Sequence, residues 1–107
     1  MSTSSPEFHV LPGAPLGPVW RDSNIRSGPS LDSPVIRLDL PDAAAGYRAE
    51  GWSPGDEVVE DQHPGGVITS SVWFRLAGGG WSSAVNFEPR AVEALLAGSV
   101  AVAPHGR

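Results

Sequence analysis

The 107-residue chain contains no cysteine and no lysine. Without thiols it can build no disulfide framework, no thiolate zinc site and no cysteine nucleophile. All seven of its basic residues are arginine, and twelve carboxylates leave a formal net charge of -5. That is the wrong sign for a surface that neutralises phosphates or lies on anionic lipid, so neither nucleic acid nor a membrane is an expected partner. No stretch approaches the roughly 20 apolar residues that span a bilayer. The opening MSTSSPEFHVLPG has neither the basic head nor the apolar core of an export signal, which predicts a cytoplasmic chain as written, or an extracellular one if a leader has been removed. Catalytic patterns are missing as well: there is no G-x-S-x-G, the three histidines are scattered, and GGG at 78 to 80 has no following lysine to cradle a phosphate. The expectation is a protein that is not an enzyme and carries no cofactor.

Turn formers are abundant, with 13 Gly and 11 Pro, which disfavours a helical bundle. Residues 1–18 hold Pro6, Pro12, Pro15 and Pro18 and read as an extended Pro-rich arm. From 19 to 88, short apolar runs alternate with turns at the spacing of a small all-β domain. VIRLDL at 35 to 40 places Ile36, Leu38 and Leu40 on one face, expected inward, with Arg37 and Asp39 on the other. VWFRL at 72 to 76 sends Val72, Phe74 and Leu76 inward and Trp73 and Arg75 outward; the Gly78 to Gly80 turn then returns the chain into Trp81 to Ser83, a β-hairpin. SPGD at 53 to 56 and HPGG at 63 to 66 read as turns in a long excursion between strands. Glu88-Pro89 before Val92, Leu95 and Leu96, with Gly98 as stop, predicts one short helix over 89–98. Residues 99–107 form a tail.

NIRSGPSLDSPVI at 24 to 36 and VWFRLAGGGWSSAVNF at 72 to 87 resemble the opening strand and closing hairpin of bacterial Src-homology-3-like domains. The resemblance runs from Val19 to Phe87 and is of the actinobacterial type. It implies a small SH3-like β-barrel of five to six short strands, with a 3₁₀-like link after the hairpin, used for binding and not for catalysis. Relatives of that kind hold peptidoglycan or act as protein-interaction modules.

Two surfaces could do the binding. Trp52 at a strand end and the outward Trp73, with Tyr47 and Trp20, could form an aromatic groove for a peptide or glycan; the alternative is that these rings roof the core. Asp56, Glu57, Glu60 and Asp61, near His63, form the densest acidic cluster. Their spacing is wrong for an EF-hand and no second histidine is near, so attraction of a basic partner is the expected use and metal is not. The leading expectation is a module that engages a peptide or protein through Trp20, Tyr47, Trp52, Asp56, Glu57, Glu60, Asp61 and Trp73. A peptidoglycan-binding module and a structural or assembly subunit, such as a virion component, are the alternatives.

Overall fold

Alternation across 72 to 76 and three glycines that follow it produce the hairpin that organises the chain. Strand β5 (Ile68–Leu76) pairs antiparallel with β6 (Trp81–Ser83), setting Arg75 opposite Trp81, Phe74 opposite Ser82 and Trp73 opposite Ser83. Gly78, Gly79 and Gly80 all adopt positive φ, between 93° and 112°, which glycine reaches without steric cost. The computed structural model describes residues 8–42 and 46–98. Before the hairpin come β1 (His9–Gly17), β2 (Ser23–Arg26), β3 (Val35–Asp39) and β4 (Tyr47–Glu60). After it come a 3₁₀ turn (Ala84–Asn86) and helix α1 (Pro89–Gly98). The strands form one antiparallel sheet in the order β1-β4-β5-β6-β2-β3.

The core lies on one face of this curled sheet. Ile25, Ala49, Phe74, Leu76, Ala84 and Phe87 are buried together, with Leu11 and Leu16 from β1 and Leu95 from α1 closing over them. Phe87 meets Phe74 and Tyr47 edge-on, at 6.1 and 5.6 Å between ring centroids, the geometry aromatic quadrupoles favour. The inward assignment of Phe74 and Leu76, the Gly-rich hairpin and the helix over 89–98 match the sequence reading, and a 3₁₀ turn follows the hairpin as the resemblance implies.

Several expectations are corrected. The barrel is an open sheet, because its hydrogen-bonded order ends at β1 on one side and β3 on the other. The N-terminal arm is sheet from His9 onward: β1 pairs with β4 between His9↔Trp52 and Gly17↔Tyr47. An edge position tolerates prolines, and Gly13 and Gly17, at φ 61° and 76°, accompany two register shifts that bend the strand. The parts of the arm before residue 8 and the tail after Gly98 lie outside the described residues. SPGD at 53 to 56 is no turn but a bulged stretch of β4, marked by the register shift between Pro54 and Val58. Beyond Trp52 no described residue pairs with β4 on its β1 side, which is where a proline fits.

The faces of two strands are reversed or doubled. Ile25 pairs with Arg37, and Ser23 with Asp39; cross-strand partners share a face, so the charged residues of β3 stand on the side of buried Ile25. Leu38 shares the other face with exposed Asn24. Ile36, Leu38 and Leu40 are 50%, 56% and 59% exposed, the opposite of the inward expectation. Trp73 does face away from Phe74, yet only 1% of it is exposed. Its indole N–H donates to the Asp56 carbonyl at 2.9 Å, and a Cβ at Gly55 would stand 2.6 Å from Trp73 Cδ1 and 2.1 Å from the Pro29 carbonyl oxygen. The bulge therefore covers the ring with bare backbone.

Trp73→Ala is expected to destabilise the protein by about 3–5 kcal/mol, whereas Leu38→Ala should stay within about 0.5 kcal/mol. Urea melts of both variants check this, and equal midpoint shifts would contradict the burial described here.

Candidate functional site

The eight residues expected to form the binding surface do not converge. Trp73 is interior. Trp20 donates its indole N–H to the Val85 carbonyl at 2.8 Å and meets His63 edge-on at 4.8 Å. Trp52 stacks on His9, 4.0 Å between centroids and 11° from parallel, and its indole nitrogen is enclosed without an acceptor among the described residues. Tyr47 donates to Asp39 Oδ2 at 2.7 Å. Each ring thus packs against a different partner, and the roofing alternative describes them better than a shared groove.

The acidic cluster also divides. Asp56 Oδ2 accepts the backbone N–H of Leu31 at 2.8 Å, which ties the loop before β3 to the β4 bulge. Glu60 is 5% exposed; it pairs with the Arg21 guanidinium and accepts the Gln62 backbone N–H at 2.8 Å. Arg21 Nε continues to Asn86 Oδ1 at 2.9 Å, and Asn86 donates to Ser82 Oγ at 2.9 Å. A buried carboxylate is tolerated here because charge and hydrogen bonds compensate its lost hydration. Burial lowers the Arg21 pKa from its ordinary value, and Asp22 opposes that shift. Glu57 and Asp61 stay exposed. Among the described residues no three His, Asp or Glu side chains gather to hold a metal ion, and no helix is long and apolar enough to cross a membrane. Sequence reasoning missed the Arg21 pair because 39 residues separate it from Glu60.

The surface that stands out instead is β3 with the loop leading into it. Of the eight exposed large hydrophobics among the described residues, five fall between 31 and 40: Leu31, Val35, Ile36, Leu38 and Leu40. Among the described residues β3 is hydrogen-bonded only to β2, so its outer side presents backbone donors and acceptors that no described strand pairs. The strand is nevertheless held in place. Arg26 Nη1 donates to the Leu31 and Ser33 carbonyls at 3.0 and 2.9 Å, and Ser27 N–H to Pro34 O at 2.9 Å. At its far end Arg37 Nε contacts Asp39 Oδ1 at 2.9 Å while Tyr47 holds the second oxygen. An apolar strand edge held at both ends can accept an extended segment in register.

No protein-family model, curated protein or solved structure matches the chain.

Burial raises the Tyr47 hydroxyl from 10.0 to about 12, and the hydrogen bond and charge of Asp39 add to the rise. Folding favours the neutral phenol, so the Tyr47 contribution to stability is complete below about pH 10 and is lost as pH rises toward 12. Because the chain has a single tyrosine, its tyrosinate absorbance reads this group directly. A midpoint near 12 is expected, with Asp39→Asn bringing it back toward 10.

Proposed function

We propose that the chain is a non-enzymatic binding module, with an SH3-like arrangement of β2 to β6, that takes an extended segment of a protein partner along the edge of β3. The β5–β6 hairpin, the 3₁₀ turn and the Val19↔Phe87 bridge that closes it support the SH3-like reading. The observation that carries the function is the concentration of exposed apolar side chains on an edge strand whose outer side no described strand pairs. Long apolar edges are ordinarily charged, covered or shortened, because they template pairing. Left open on a well-held strand, the same property becomes recognition: main-chain hydrogen bonds give affinity, and alternate side chains give specificity. Covering Ile36, Leu38 and Leu40 removes contiguous apolar surface from water, each side chain worth about 1.5–3 kcal/mol if fully buried. Exposed Glu57 and Asp61 add to a negative field that speeds encounter with a basic partner.

Selection of extended peptides from a displayed library on the immobilised chain tests this. Enriched peptides should alternate apolar residues and slow amide hydrogen exchange over 35 to 39. Leu38→Lys should weaken them at least tenfold, about 1.4 kcal/mol, without lowering the melting temperature. Peptides that bind the variant equally well, or leave the β3 amides unprotected, would place the site elsewhere.

A further inference from the structure

The side-chain pattern of β3 also selects an occupant, an inference that rests on the reading of β3 as a docking edge. We propose that β3 pairs antiparallel with β3 of a second copy of the chain, centred on Leu38. In that register Leu38 meets its own copy on the two-fold axis, within the stretch 37 to 39 that pairs regularly with β2; the register shift of that pairing falls at Ile36. Arg37 stands opposite Asp39 of the partner subunit, and the reverse pair repeats on the other side of the axis. The outcome is an apolar contact centred on Leu38 on one face and two opposite-charge pairs on the other, the self-complementarity an isologous interface requires.

The charges distinguish this register from its neighbours. Centring on Arg37 would oppose two guanidiniums, and centring on Asp39 two carboxylates; like charges directly opposite are destabilising. Pro34 and Pro41 bound the ladder, since neither can donate a backbone hydrogen bond. The charged groups are preset, because Arg37 Nε already lies 2.9 Å from Asp39 Oδ1 and the Tyr47 hydroxyl holds Oδ2 at 2.7 Å. Little side-chain freedom remains to be lost on pairing. Five residues per strand bury less than the roughly 1,200 Å² of stable complexes, and two copies each carrying a net charge of -5 repel. The association is accordingly expected in the micromolar to millimolar range.

Sedimentation equilibrium of the full chain up to millimolar concentration should show a reversible monomer–dimer equilibrium. Arg37→Glu and Asp39→Lys should each weaken self-association at least tenfold, because each sets like charges opposite, while an equimolar mixture of the two variants should form a heterodimer. Circular dichroism reports whether both fold; Leu38→Lys, at an exposed position away from the Tyr47 contact, should abolish the dimer independently. A wild type that stays monomeric at millimolar concentration, a dimer indifferent to Leu38→Lys, or folded variants that fail to associate when mixed would each overturn the proposal. If the wild type is monomeric while Leu38→Lys still removes selected peptides, self-pairing falls and strand addition by another protein stands.

Discussion

Trp73 and Phe74 are neighbours on β5, so their rings must be buried on opposite faces of one sheet. Phe74 enters the main core. On the other face Trp73 has no comparable set of apolar side chains, and the chain covers it with backbone: the bulge at 54 to 58 closes over the indole, Asp56 accepts its N–H, and Pro29 reaches within 3.4 Å of Asp56 N through its carbonyl. Gly55 has to lack a side chain for this approach to occur.

That packing sets the position of the edge. Asp56 also binds the Leu31 N–H, so the loop into β3 is anchored to the lid over Trp73. Arg26 holds the loop from its other side. β3 therefore leaves this support and runs along β2 as the last strand of the described sheet, with Leu38 and Leu40 more than half exposed. Free energy that burial could release stays available at the surface, and a partner strand can collect it. The exposure of β3 is in this sense a consequence of how a tryptophan on β5 is covered.

Legibility in the sequence followed the range of the interactions. The hairpin at 72 to 83 and α1 are readable because alternation, three glycines and the Pro89-to-Gly98 pattern are all local signals; the 3₁₀ link came from the resemblance alone. The candidate site was not. Trp73 was correctly assigned to the face opposite Phe74, but parity cannot say whether that face meets water, and here it meets the 54 to 58 bulge. Glu60 looked like one carboxylate of an exposed acidic run until Arg21 came to it across the fold.

β3 draws the line most clearly. Composition and period-2 alternation were sufficient to make residues 35 to 39 a strand, to bound it with Pro34 and Pro41, and to place Leu38 across from Arg37 and Asp39. Which of its faces looked toward the core, and whether either would be covered, depended on pairing with β2 in the register Ile25↔Arg37 and on the lack of a seventh strand beyond it among the described residues. A shift of one residue would have turned Leu38 toward the interior. Alternation is a property of neighbouring residues and survives in any register; burial is a property of the whole sheet, and only the assembled order of its strands could assign it.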